Sequence, residues 1–244
     1  SSVLGTTRPG PVRPARTVGR RSGPLDVGVL EARRVLEPVA GQPVAMVLAE
    51  TPETARAAAA LVEVRYAPTP AITALAHARE SAFAPRTAGL TATDSRRGEP
   101  EAALAAAAVT LERRYTTPTH NHLAIEPQVV LADWDGSDLT VHTPSQAVFA
   151  HRTTLAKCFG LDGARVRGVS SYLGGGFGSK GGAWVPCLVL ACLAAKQLGR
   201  PVRLELTRAQ MFTLVGRRQE TEQRLRIGAA RDGRLTALLH DTVA

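Results

Sequence analysis

The sequence predicts a mixed α+β (α/β) protein, and three observations predict it. Runs that alternate apolar and polar residues, such as VTLERRYTT and VRLELT, read as half-buried strands. Alanine-rich runs behind capping residues, such as TPETARAAAALVEV, read as helices. The two kinds of run are interleaved along the chain and separated by Gly, Pro and D-G signals, and no internal repeat is present.

Taken in order, SSVLGTTRPGPVRPARTVGRRSG is rich in Arg, Pro and Gly and lacks the apolar centre of a signal peptide. Residues 1–35 are therefore expected to be poorly ordered. EPVAGQPVAMVLAE reads as a turn and a strand. Thr51 caps a helix expected over 52–61, with Glu53 in its first turn. VEVRY should follow as a short strand and complete a β-α-β unit near Tyr66. Pro68, Pro70 and SRRGEP mark a connection, with a boundary between about 67 and 98. EPEAALAAAA is helical and leads into the strand VTLERRYTT. EPQVVLADWDGSDLTVHTPSQ reads as two strands joined at Asp135-Gly136. A helix over 147–159 is stopped by Gly160. ARVRGVSS is a strand, a helix runs from about 182 to 198, and VRLELT is a strand. TEQRLRIGAARDGRLTALLHDT forms a strand pair around Arg231-Asp232-Gly233.

The 244 residues are 44% hydrophobic but only 4% aromatic, so a core would be built from Ala, Val and Leu. No run of about 18 consecutive apolar residues suggests a membrane span. The net charge of +9 raises the question of nucleic acid. The arginines are scattered through the N-terminal stretch and along strands, with few aromatics to stack bases, which argues against it. Cys158, Cys187 and Cys192 form no C-x-x-C and lie in apolar helical segments, as buried reduced thiols would.

The densest signal is YLGGGFGSKGGAW, residues 172–184. Clustered glycine costs backbone entropy, so it needs a positive φ or a close approach to justify it. A phosphate loop would need Gly before the lysine and Ser or Thr after it. Here Ser179 precedes Lys180 and Gly181 follows, which excludes that reading. A dinucleotide loop fits better: Gly176, Gly178 and Gly181 match G-x-G-x-x-G, with Glu205 placed as a ribose-binding acid. Phe177 inside that turn would crowd a pyrophosphate, so an NAD(P)-binding Rossmann oxidoreductase stands as the alternative.

LGGGFGSKGG also resembles the cofactor loop of the xanthine dehydrogenase and aldehyde oxidoreductase family of molybdenum hydroxylases. Three further segments resemble that family in the same order. They are GQPVAMVLAETPETARAAAALVEVRY, HNHLAIEPQVVLADWDGSDLTVHTPSQAVF and RPVRLELTRAQMF with GRRQETEQ. The resemblance implies a partial α/β hammerhead domain over 36–88, then the first part of a molybdopterin cofactor-binding domain over 99–244. It implies a molybdenum ion held by a pterin, in some members as a dinucleotide, with no direct protein ligand. Gln146 and Phe177 would touch the metal's oxygen ligands. Gly175, Gly176 and Gly178 would let the backbone approach the group, and Ala147 would touch the pterin.

The same resemblance implies a heteromeric complex, in which partner subunits carry iron–sulfur clusters and FAD. It places this chain in the cytoplasm, or in the periplasm by co-export with a partner. The family's catalytic glutamate would lie beyond residue 244, so no catalytic residue is expected within the chain. A truncated paralogue with a binding or assembly role is the other alternative. The isolated chain is expected to carry little molybdenum and not to oxidise aldehydes. Purine-oxidising members place Glu directly after the loop lysine; this chain has Gly181 there, which favours aldehydes over N-heterocycles such as xanthine. His120 and His122 make a poor nuclease signal. Glu126 reads as a structural hydrogen-bonding acid, and Lys180 as a group that neutralises nearby charge or caps a carbonyl. Arg217, Arg218 and Gln219 depart from the family pattern, so no substrate role is expected of them. Met211 and Phe212 read as core.

Overall fold

In the computed structural model, which describes residues 16–18, 28–31, 43, 45–64, 70–88, 91–183 and 185–244, strands form wherever a long alternating run has a partner. Among these residues, contacts divide the chain into two compact units. One draws on Val62–His120 and Gln219–Ala244, the other on Ala15–Leu61 and Asn121–Arg218.

The first unit is an antiparallel sheet ordered Leu235–Val243, Thr221–Ala229, Val109–Thr117. Its register runs from Thr221 opposite Thr117 to Ala229 opposite Val109. The Arg224 guanidinium bridges Glu112 at 2.6 and 3.0 Å across two strands. The helix Pro100–Ala105 contacts both Thr221–Ala229 and Leu235–Val243. Gly228 makes room for the residues beside that helix, since a Cβ there would lie 2.8 Å from Ala107 Cβ.

The second unit is built on a mixed sheet ordered Val166–Val169, Asp138–His142, Val129–Asp135, Val202–Glu205. The outermost strand Val166–Val169 runs parallel to Asp138–His142, and the other two pairings are antiparallel. The parallel pair needs a crossover, supplied by the helix Val148–Phe159. That helix ends at Gly160 with φ +65°, the left-handed cap expected of it. The D-G turn also forms, but Asp135 pairs with Asp138, so the two central residues are Gly136 and Ser137. Val130, Ala132, Leu139 and Val141 point to one face and are buried against Leu155 and the long helix Val185–Leu198. Leu131, between them, is exposed.

Ser179–Leu198 is long and apolar enough, by length and composition, to cross a membrane. Its packing makes it the core helix of this unit instead: Leu188, Ala191, Cys192, Ala194 and Ala195 are fully buried. The Trp134 indole N–H donates to the Cys192 carbonyl at 2.9 Å, and Lys196 sits 4.7 Å over the Trp134 ring.

Several expectations are corrected. The strand expected over VEVRY is not formed at residues 62–64, which pair with no strand among the described residues; residues 65 and 66 lie outside the described set. The poorly ordered segment expected over 1–35 falls mostly outside it too, although Arg16–Val18 and Gly28–Glu31 pair there antiparallel and join Ala45–Leu48. The helix after Thr51 stops at Ala59. Phe212 is exposed, because a 3-10 turn over Gln210–Phe212 points Met211 inward and its neighbour out. Cys158 is exposed as well: it lies about 200° around its helix from the buried Ala156.

Burial pushes the Cys187 thiol up to about 11 and the Cys192 thiol up to about 12. In native protein, a thiol reagent such as DTNB is therefore expected to titrate Cys158 alone near neutral pH, and all three after denaturation. Rapid native labelling of Cys192 would contradict the buried helix face.

Candidate functional site

The glycine run leaves the strand Val166–Val169 and reaches the core helix through a loop and a π-type turn over Ser179–Ala183. The helical winding thus begins before the expected start near 182. Four glycines of the loop, Gly174, Gly175, Gly176 and Gly178, have a local reason. Gly175 and Gly178 have φ of +90° and +99°, backbone that side chains disfavour. A Cβ on Gly174 would lie 2.5 Å from Glu126 Cβ, and one on Gly176 only 2.4 Å from the Gln146 carboxamide. Glu126 and Gln146 therefore occupy the space that glycine leaves open.

Glu126 holds the loop's first turn. Its backbone N–H donates to the Gly174 carbonyl at 3.1 Å, and its carboxylate accepts the Gly174 N–H at 2.7 Å. The same carboxylate oxygen takes Lys180 Nζ at 2.5 Å. Lys180 is fully buried, so Glu126 is its compensating charge, as expected for a lysine that neutralises its surroundings. Burial pushes the Glu126 carboxyl up. The Lys180 hydrogen bond, the Gly174 N–H and the Lys180 charge together outweigh that and hold it below its ordinary value. Ser179, also buried, donates to the Gly176 carbonyl at 2.8 Å and accepts from Gln128 Nε2 at 3.0 Å.

Gln146 meets the loop from the other side. Its backbone N–H donates to the Lys180 carbonyl at 3.0 Å, and its Oε1 accepts the Gly178 N–H at 2.9 Å. With the carboxamide oxygen engaged, its Nε2 is a donor with no acceptor among the described residues. Behind it, the buried His151 joins Nε2 to the Gly181 carbonyl and Nδ1 to Ser145 Oγ, the latter at 3.0 Å. Ser145 Oγ in turn accepts the Ala147 N–H at 2.9 Å. The residues on both sides of Gln146 are thereby pinned.

A cavity of about 710 Å³ opens over this surface, lined by Asn121, His122, Leu123, Gln146, Phe177–Gly178 and Arg218. The structure thus brings Gln146, Phe177 and Gly178 onto one wall, although 32 positions separate Gln146 from Gly178. Gly175 and Gly176 lie directly behind that wall. Ala147 does not line the cavity; it caps the helix Val148–Phe159. Sequence reasoning dismissed His122 as a poor nuclease signal and set Arg218 aside, yet both line the cavity and both donate to the Phe177 carbonyl, at 2.8 and 3.1 Å. No acid lines it. Glu205, the ribose-binding candidate of the dinucleotide reading, pairs instead with Arg203 on its own strand and is not part of the lining.

Residues 83–244 match the model of the molybdopterin cofactor-binding domain. Among curated proteins, the chain is 39% identical over 201 residues to the aldehyde oxidoreductase molybdenum-binding subunit PaoC of Escherichia coli (strain K12), covering 82% of this chain and 27% of that one. It is 28% identical over 208 residues to the xanthine dehydrogenase of Emericella nidulans, covering 84% of this chain and 15% of that one. Among solved structures, it superposes on CO dehydrogenase from Oligotropha carboxidovorans with a TM-score of 0.69 and 25% identity, over 83% of this chain and 28% of that one. The aldehyde oxidoreductase from Desulfovibrio gigas gives a TM-score of 0.65 and 28% identity, over 82% and 22%. The chain therefore spans about a quarter or less of the length of these relatives.

Proposed function

Because the chain belongs to the molybdopterin cofactor-binding domain family, we propose that it supplies one wall of the cofactor site in the large subunit of a molybdenum hydroxylase that oxidises aldehydes. The observation that carries this reading is the Gln146–Gly178 hydrogen bond at 2.9 Å. By engaging the carboxamide oxygen, it leaves the amide N–H₂ as the end free to donate. That donor, on a cavity wall without acids, suits a group rich in acceptor oxygens. The vacant Cβ positions at Gly174 and Gly176 fit the same reading, because any side chain there would displace Glu126 or Gln146.

When bound, the molybdenum cofactor supplies two-electron oxidation of the substrate, with water as the source of the added oxygen. The residues of this chain bind and orient. Gln146 Nε2 would donate to an acceptor oxygen of the group. Phe177 and Gly178 would meet the group from the cavity wall, where the Phe177 ring is exposed. Gly175 and Gly176 act from behind the wall, leaving room for the Phe177 ring and the Gln146 carboxamide. The network of Ser145, His151 and the Gly181 carbonyl keeps Gln146 in register with the loop. Electrons would leave through iron–sulfur and FAD-carrying partner subunits. The stretch over 36–88 would belong to a hammerhead domain that precedes the cofactor-binding domain.

Gly181 supports aldehydes over N-heterocycles. A Cβ at that position would meet nothing within 4 Å, so space alone does not exclude a glutamate there. What Gly181 lacks is a polar side chain to pair with a heterocycle, and a site that loses such a partner loses selectivity for it. The test is expression of the chain in its complete oxidoreductase, with elemental analysis and dye-coupled turnover. Molybdenum near one per large subunit and faster turnover of benzaldehyde than of xanthine are expected. Absence of molybdenum would reject the cofactor reading, and preference for xanthine would reject the substrate class.

A further inference from the structure

The Phe177 carbonyl and the Gly178 N–H belong to one peptide unit, and three side chains hold that unit from opposite edges. On the oxygen edge, His122 Nδ1 and Arg218 Nη2 both reach the Phe177 carbonyl. A carbonyl oxygen only accepts, so His122 carries its hydrogen on Nδ1. On the nitrogen edge, the Gly178 N–H donates to Gln146 Oε1. The unit sits in unfavourable backbone. Phe177 has φ +52°, one of two non-glycine residues with positive φ among those described, and Gly178 has φ +99°. A bulky residue does not adopt such a φ by its own preference; the surroundings must impose it.

We propose that His122 and Arg218 are positioning residues for Gln146. By fixing the Phe177 oxygen, they hold the peptide in the orientation that aims the Gly178 N–H at Gln146 Oε1, and so decide which end of the carboxamide faces the cavity. Without them, rotation about the bonds flanking the peptide would bring the Phe177 carbonyl towards Gln146. Oε1 would then face an acceptor, the carboxamide would turn to donate Nε2 to it, and the cavity would be offered an oxygen in place of a donor. The importance of that donor rests on the cofactor reading above; the three-point clamp itself does not.

The arrangement also accounts for Arg218. Among the described residues it has no carboxylate partner, and its identified hydrogen bond goes to the Phe177 carbonyl. A Cβ on Gly178 would come within 3.1 Å of its Nη2, so the guanidinium fills the space beside that glycine.

The test is amide exchange at Gly178 in the intact protein, read by ¹⁵N-resolved hydrogen–deuterium exchange, with the Gln146 side-chain amide followed in the same spectra. His122→Phe keeps a ring but removes the donor; His122→Asn keeps a donor in the place of Nδ1. In the double variant His122→Phe/Arg218→Ala, Gly178 exchange should rise about tenfold or more, the size of one lost hydrogen bond. The Gln146 side-chain amide signals should shift, and exchange at Val130 and Ala132 in the sheet should stay as it was. His122→Asn should restore most of the Gly178 protection when Arg218 is retained. The proposal is overturned if Gly178 exchange is unchanged in the double variant, or if His122→Asn behaves like His122→Phe. It is overturned as well if Val130 and Ala132 lose protection in parallel, since the two residues would then act on the fold as a whole. Molybdenum content measured on the same variants separates the two readings. Loss of Gly178 protection with full molybdenum occupancy upholds the clamp and counts against the donor role given to Gln146.

Discussion

Replacing Glu126 with alanine is expected to destabilise the unit that carries the glycine loop by about 3–5 kcal/mol, the usual cost of leaving a buried charge without its partner. Lys180 is fully buried and its ion-pair partner is Glu126. The reverse change, Lys180→Met, should cost less, about 1–3 kcal/mol, because the Glu126 side chain keeps 31% of its exposure and water can solvate it. Denaturant or thermal unfolding measures both. Equal costs, or a larger cost for Lys180→Met, would contradict the asymmetry of burial. The pair also sets a pH dependence. Glu126 titrates below its ordinary value of 4.5 in the folded protein. Its contribution is therefore fully present above that ordinary value and is lost as pH falls through the lower folded value. A Glu126→Gln variant should lose less stability than the native chain over that acidic interval. Parallel stability curves would show that the carboxylate is not held as described.

The second large effect is expected at Gly176. In Gly176→Ala the new Cβ would lie 2.4 Å from both Cδ and Oε1 of Gln146, closer than two atoms tolerate. Either the carboxamide leaves the Gly178 N–H or the loop shifts; overpacking of this kind costs about 1–3 kcal/mol. In the oxidoreductase proposed above, molybdenum content and turnover should both fall well below half. The clash has a named partner, so it can be relieved. In a Gln146→Ala background the same Gly176→Ala change should cost little further stability, with a coupling of about 1 kcal/mol or more. Additive costs would mean that Gly176 serves the loop by some route other than making room for Gln146.

Much of the fold is legible in the sequence because much of it is locally determined. VTLERRYTT alternates over nine residues and forms the strand Val109–Thr117 in full. Gly160 and Gly136 adopt the positive φ that their positions after a helix and in a hairpin demand. The strand expected at VEVRY does not form at residues 62–64, because alternation states a preference for a sheet without supplying a neighbour. In the site, the sequence singled out the glycines, Phe177 and Gln146, and pointed to Glu126 and Lys180 as structural residues. It could not show why so many glycines are needed. Two of them give way to side chains from residues 126 and 146, far away in the chain. The π-type turn at Ser179–Ala183 was equally hidden, since its carbonyls are taken by Gln146 and His151. His122 and Arg218 escaped for the same reason. Each donates to a backbone carbonyl, and a carbonyl leaves no mark on the identity of the residue that carries it.

The Phe177 carbonyl takes one donor from 55 positions upstream and another from 41 positions downstream. That spacing sets an order of events during synthesis. While the chain emerges from the ribosome, the glycine run appears before Arg218 exists, so this wall cannot be completed as its own residues are made. A peptide cut to the glycine run alone would not hold the Phe177–Gly178 turn. Completion of this wall would have to wait for the chain to reach at least residue 218, so any group that the wall receives would meet a closed turn and not a nascent loop.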